Sequence, residues 1–285
     1  MIHCITYRDT MIDKLLPDPM RDHWESVAER YEADADAFTR QFAEEAWRLA
    51  DLPPGTRLLD IATGVGALLL PALRDGAEAH AIDFSNAMVD RTRLRAAEID
   101  PAAADRIHQM DGQALTFPDN SFDAASSIFG VMLFPDPDKG MAEMARVLRP
   151  GGMAVMAAWQ SASGAGPALL FQAAMAELFP GLDFGSAMGN RPLFNTRELM
   201  DAGFRRAGLE PQEVHFVTCP WPAPTPDWPR KNAQLTFGWS PAWQQLDEAE
   251  REQVIQRVEA KIAATGDSID ATAVIGIARS PSEQD

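Results

Sequence analysis

Three acids stand where apolar runs end: Asp60 after Leu58 and Leu59, Asp83 after residues 77–82, and Asp111 after residues 106–110. Between the first two lies a turn of small residues, Ala62, Thr63, Gly64 and Gly66, and beyond it a second apolar segment, residues 67–73. That order predicts a buried strand, a tight turn and a helix start. Glycine at such a turn lets the backbone approach a ligand where a Cβ would intrude, and the helix N-terminus behind it presents unbonded N–H groups. Asp83 follows Gly66 by about seventeen residues, roughly the spacing of a nucleotide-binding βαβ unit. An acid at the tip of the second strand can accept hydrogen bonds from both ribose hydroxyls. The chemistry these residues offer is the holding of a nucleoside.

Such acids must be brought together by strands and helices in alternation. Apolar runs predict strands at 57–62, 78–82, 106–110, 122–128, 153–159, 213–218 and 271–279, and helices at 66–75, 85–97, 138–148, 167–178, 196–207 and 247–264. Ser85 suits the N-cap of the second of these helices. Alternating units argue for an α/β fold, a doubly wound and mostly parallel sheet, whose ligands bind outside the carboxyl ends of the strands at the switch point. Ahead of the sheet, Trp24, Val27, Tyr31, Phe38, Phe42, Ala46 and Trp47 recur at helical spacing until Pro53, Pro54 and Gly55. Tyr31 either packs as core there or lies over the ligand. Residues 1 to about 20, with Pro17 and Pro19, predict a poorly ordered lead or a flap.

The rhythm breaks twice, at 161–195 and at 220–243, where Trp221, Trp228, Phe237, Trp239 and Trp243 crowd among prolines. Both insertions are too apolar for exposed loops and predict a lid over the strand tips. The chain thus divides into N-terminal helices (1–50), a ligand-binding core (51–160), a lid insertion (161–195), core continued (196–219), a second lid insertion with a helix (220–265), and a last strand and tail (266–285).

Composition narrows the function. A formal net charge of −17 opposes a polyanionic partner, since neutralising phosphates needs clustered Lys and Arg; nucleic acid is not expected. Cys4 and Cys219 form no metal-spaced set and no disulfide framework, so no metal is expected. The first residues lack the charged-then-apolar order of a signal peptide, and no run approaches the roughly 20 apolar residues of a membrane span. A soluble cytoplasmic protein is expected, with its oligomeric state open and a homodimer among the options.

The dinucleotide fingerprint fits poorly: counted from Gly64, its third glycine falls on Leu69, and counted from Ala62, the first is missing. Residues 60–66 (DIATGVG), 81–85 (AIDFS), 111–125 (DGQALTFPDNSFDAA) and 146–152 (RVLRPGG) resemble, in order, the successive motifs of class I S-adenosylmethionine (SAM)-dependent methyltransferases. The ATG form of the turn is similar to the ubiquinone/menaquinone biosynthesis group, although that family usually has Gly in place of Ala62. The resemblance spans about residues 22–160 and implies a seven-stranded Rossmann-like sheet with SAM as cofactor. It implies that residues 60–66, among them Asp60, Ala62, Thr63, Gly64 and Gly66, wrap the methionine moiety, with Asp60 contacting its ammonium directly or through water. Asp83 would take the ribose hydroxyls, Phe84 and Met88 would flank the adenine, and Asp111 would accept from its amino group beside Gly112, Gln113 and Ala114. Phe129 and Gly130 would line the wall near the sulfonium, and RVLRPGG would be a helix stop.

Methyl transfer needs an acceptor held in line and close, and a base only if the nucleophile keeps its proton. Asp136, His215 and Glu177 are the candidates for that base, with His23 behind them. Phe134, Trp159, Phe171, Met175, Phe237 and Trp239 suggest a flat or lipophilic small-molecule acceptor, of the kind found in secondary metabolism, methylated on O, N or C. Two other readings stay open: a nicotinamide-dependent oxidoreductase, and a SAM-binding regulator without turnover.

Overall fold

The computed structural model describes residues 19–161, 166–182, 194–221, 224–238, 240–265 and 269–282. Residues 1–18, with Cys4, lie outside that set, as does Trp239. Two helices lead, α1 (Pro19–Asp34) and α2 (Asp36–Ala50). The α/β units follow: β1 (Arg57–Ile61), α3 (Leu69–Arg74), β2 (Glu78–Asp83), α4 (Asn86–Ala97), β3 (Ile107–Gln109), β4 (Phe122–Ile128), α5 (Pro137–Val147) and β5 (Leu148–Trp159). Then come α6 (Pro167–Leu178), α7 (Arg197–Arg206), β6 (Glu210–Trp221), α8 (Trp228–Phe237), α9 (Pro241–Gln245), α10 (Glu248–Thr265) and β7 (Ile269–Arg279).

The seven strands form one sheet in the order β3-β2-β1-β4-β5-β7-β6. β1 to β5 run parallel, while β7 is antiparallel to both β5 and β6. The chain winds outward from β1 in one direction and from β4 in the other, so the switch point lies between those two strands. The first helix of the sheet begins at Leu69 rather than at 66. Ala62, Gly64 and Gly66 all take left-handed backbone conformations, which interrupt a helix and leave 62–68 as a turn.

Successive strand residues face opposite sides of the sheet, and the apolar content divides accordingly. Leu58 packs with Phe42, Trp47, Leu69 and Val89 on one face, and Leu59 with Met141, Met144, Met200 and Phe204 on the other. A third core lies outside the sheet, where Phe171 and Met175 of α6 pack with Phe237, Trp243, Val254 and Val258. The lid segments therefore bury apolar surface among themselves as well as against the strand tips.

Candidate active site

The turn after β1 is fixed from every side. Thr63 N–H donates to the Ile82 carbonyl at 3.0 Å, Gly64 N–H to Asp83 Oδ2 at 2.9 Å, and Thr63 Oγ1 to Asp60 Oδ2 at 2.7 Å. From α4, Thr92 Oγ1 donates to the Gly64 carbonyl (2.6 Å) and the Arg95 guanidinium to the Val65 carbonyl (2.7 Å). Arg95 also pairs with buried Asp36 at 2.8 Å, tying the junction of α1 and α2 to the same turn. Backbone groups held this way cost nothing to order when a ligand arrives.

Asp60 is only 2% exposed and gives its second oxygen to Ser126 Oγ at 2.8 Å. It does not line the cavity, which leaves the water-mediated form of the expected ammonium contact: Asp60 orders the turn by binding Thr63 and reaches across to β4. Burial pushes its carboxyl up to about 6 against the pull of those two hydroxyls. Asp83 stands at the tip of β2, accepts from Gly64 N–H and, at 3.0 Å, from Ser85 N–H, and does line the cavity. It is likewise pushed up to about 6, chiefly by burial. With Gly64, Ser85 and Phe84 as its backbone donors, the carboxylate keeps acceptor capacity for a ligand hydroxyl.

A cavity of about 540 Å³ opens over the switch point. Of the residues expected from sequence to hold a cofactor, the structure brings Tyr31, Ala62, Gly64, Asp83, Phe84, Met88, Asp111, Gly112, Gln113, Phe129 and Gly130 onto its wall. Thr63, Gly66 and Ala114 stay off it, the first two serving the turn's own hydrogen bonds. Ser85 accepts from Met88 N–H as the α4 N-cap and donates to Glu25 of α1, which clamps α1 beside the cavity.

Phe129 has φ +61°, a conformation that is a genuine outlier for a bulky residue. It stacks on Trp159 with ring centroids 3.6 Å apart and meets Phe42 edge-on. Gly130, next along, has no room for a side chain: a Cβ there would lie 2.5 Å from the Ala62 Cβ and 2.8 Å from Ser127 Oγ. The β1 turn and the end of β4 thus touch beneath the cavity floor.

The other half of the wall is aromatic and comes largely from α1, α2 and the lid. Phe134, Trp159 and Phe237 stand there as expected, joined by Trp24, Phe38, Trp221 and Trp228, which sequence reasoning did not place on the site. Trp221 ends β6 as Trp159 ends β5, so the rule that ligands meet strand ends could have found it. Phe171 and Met175 are corrected: both are wholly buried in the lid's own core. The cavity face of α6 carries Pro167, Ala168 and, one helical turn on, Gln172 instead.

The candidate bases are elsewhere. Asp136 caps α5 by accepting from Lys139 N–H, His215 pairs with Glu213 on the edge strand, and Glu177 pairs with Arg257 and Lys261 on the lid surface. His23 is buried beside Trp24 and off the cavity; burial pulls its pKa down to about 4 against a backbone hydrogen bond at Leu235. Tyr31, which donates to Thr39, is pushed up to about 12 by burial and keeps its proton. Among the described residues, no group of three or more His, Cys, Asp or Glu could hold a metal ion.

Residues 59–156 match the family model described as methyltransferase domain. This segment belongs to the class I SAM-dependent methyltransferase family. Demethylmenaquinone methyltransferase of Renibacterium salmoninarum is 35% identical over 145 residues, which are 50% of this chain and 59% of the relative. Phosphatidylethanolamine N-methyltransferase of Cereibacter sphaeroides is 37% identical over 102 residues, 36% of this chain and 50% of the relative. The chain spans less than two thirds of the length of these curated relatives. The YcgJ protein from Bacillus subtilis shares the fold, with a TM-score of 0.57 at 19% identity over 84% of this chain and 97% of that one.

SAM is the methyl donor this family implies, and the residues present fit it. Asp83 keeps acceptor capacity toward the cavity, and Asp111 Oδ1 takes the Gln113 N–H groups while its other oxygen has no partner among the described residues. Met88 and Phe84 offer apolar faces beside them, and the Ala62–Gly64 turn leaves backbone rather than side chains toward the cavity. When bound, the donor supplies a methyl carbon activated by the adjoining sulfonium.

Proposed function

We propose that the protein is a SAM-dependent methyltransferase acting on a lipophilic small molecule. The observation that supports this best is the continuity of the cavity: an acid-and-glycine socket for the donor opens into a chamber walled by Trp24, Phe38, Trp159, Trp221, Trp228 and Phe237. The protein holds the acceptor against the donor's methyl carbon and keeps water out, a proximity effect worth several kcal/mol in principle. No acid, histidine or lysine of the described residues lines the aromatic half. The acceptor's nucleophile therefore reacts already deprotonated or releases its proton to solvent.

Donor binding is tested by thermal unfolding in the presence of S-adenosylhomocysteine (SAH) or NADH: SAH should raise the midpoint and NADH should not. The reverse result transfers the assignment to an oxidoreductase. Catalysis is tested by incorporation of labelled methyl into a panel of lipophilic phenols, amines and acids. SAH binding without incorporation into any of them would favour a regulator that binds the donor without turning it over.

A further inference from the structure

Among the described residues of the acceptor half, Gln172 carries a side chain that offers both a donor and an acceptor and pairs neither, where the indoles of Trp24, Trp159, Trp221 and Trp228 offer a donor alone. Gln172 lies on the cavity wall one turn after Ala168, is half-buried, and its carboxamide makes no hydrogen bond to any described residue. The neighbouring polar groups are engaged: Thr236 Oγ1 donates to the Asn232 carbonyl at 2.8 Å, and Thr39 Oγ1 accepts from Tyr31 and lies 3.2 Å from the Asp36 carbonyl. A free amide in an aromatic chamber penalises any ligand that covers it without pairing it, because the desolvated N–H and C=O then lose water for nothing. The few polar groups of an otherwise apolar pocket are what orient its ligand.

Charge selects further. The charged side chains of the cavity wall are Asp83, Asp111 and Arg21, the last one helical turn before Glu25, which binds Ser85 beside Asp83. A charged headgroup would find no counter-ion among the described residues of the aromatic half, while a neutral oxygen would be tolerated.

Resting on the methyltransferase reading, we propose that Gln172 determines acceptor specificity, its carboxamide hydrogen-bonding a hydroxyl or carbonyl oxygen on a flat and otherwise apolar molecule. The Nε2 hydrogens serve a carbonyl and Oε1 serves a hydroxyl, so one residue reads either oxygen.

The experiment uses the full chain with SAH present and measures binding of three probes of matched size by calorimetry: naphthol, naphthaldehyde and methylnaphthalene. Wild type should bind each oxygenated probe about tenfold tighter than methylnaphthalene, the worth of one hydrogen bond that would otherwise be left unmade. Gln172→Met should abolish that preference while leaving methylnaphthalene and SAH within about threefold of wild type. Gln172→Glu, which keeps an acceptor and loses the N–H donors, should retain naphthol and lose naphthaldehyde. Equal affinity for the three probes in wild type, failure to bind any of them, or a preference that survives in Gln172→Met would overturn the proposal. Loss of SAH binding by wild type would overturn the methyltransferase reading instead.

Discussion

Asp83→Asn separates what the acid costs the fold from what it gives the ligand. Burial lifts the Asp83 carboxyl from 3.8 to about 6, so keeping it ionised at pH 7 costs about 3 kcal/mol relative to water. Asn removes that cost but replaces one oxygen with an NH2 group, which leaves Gly64 N–H or Ser85 N–H facing a donor, a loss of about 1–3 kcal/mol. The two effects oppose, and urea unfolding at pH 7 should show a change within about 2 kcal/mol. Binding has no such compensation. Two hydroxyls donating to a charged acceptor contribute about 1.5–3 kcal/mol each. Losing the charge and one acceptor oxygen should therefore weaken SAH by about 2–4 kcal/mol, or roughly 30- to 1000-fold. The pH dependence adds a second signature. A folded pKa above the unfolded value means that the stability this acid contributes is fully present below about 4 and is lost as pH rises through about 6. Wild-type affinity for SAH moves the other way and falls as pH drops through about 6, whereas the Asn variant should show a shallower fall, with Asp60 the acid still titrating there. An SAH dissociation constant within threefold of wild type in a folded Asp83→Asn variant would refute the assignment of the ribose to this residue.

Gly130→Ala should weaken SAH binding and lower stability by about 1–3 kcal/mol through overpacking, because its Cβ would sit 2.5 Å from the Ala62 Cβ. Ala62→Gly removes that clash and relieves a left-handed alanine at φ +57°, so it should be neutral to mildly stabilising alone and should restore part of the loss in the double variant; additive losses would show that the two do not touch. His23→Leu tests the contact of α1 with the lid. The wild-type imidazole, held neutral with its pKa pulled down to about 4, contributes stability that is present above about 6.5 and lost as pH falls through about 4. Urea unfolding should therefore show the variant gaining about 2–3 kcal/mol on wild type between pH 8 and pH 4.5, and a difference that does not change with pH would refute the burial argument.

Most of the sheet was readable in the chain because parallel strands buried on both faces are short continuous apolar runs, as in residues 122–128, whose predicted and observed limits coincide. The donor-side acids were readable because they terminate such runs. The errors have a common physical origin. Phe171 and Met175 looked like ligand-binding residues because they are large and apolar, but a lid with its own core uses such residues internally and presents small or polar ones to the cavity. Gln172 carried no periodic signal, and its position follows only from knowing which face of α6 the lid core claims. That Asp60 sits behind the turn rather than on the cavity wall was not readable, because sequence shows an acid beside a turn and cannot show that Thr63 and Ser126 bind its two oxygens. The lid's tryptophans were noticed as a group, but which of them face the cavity depends on tertiary placement that the local pattern does not encode.

The separate core of the lid has an evolutionary and practical consequence. Since α6, α8 and α10 are glued together through Phe171, Trp228, Val254 and their neighbours, residues on the cavity side of α6 and α8 can be exchanged without disturbing either apolar layer of the sheet. A descendant could reshape this pocket by drifting at Ala168, Gln172 and Thr236 alone, and a laboratory library confined to those three sites would sample new ligands while leaving the turn after β1 intact.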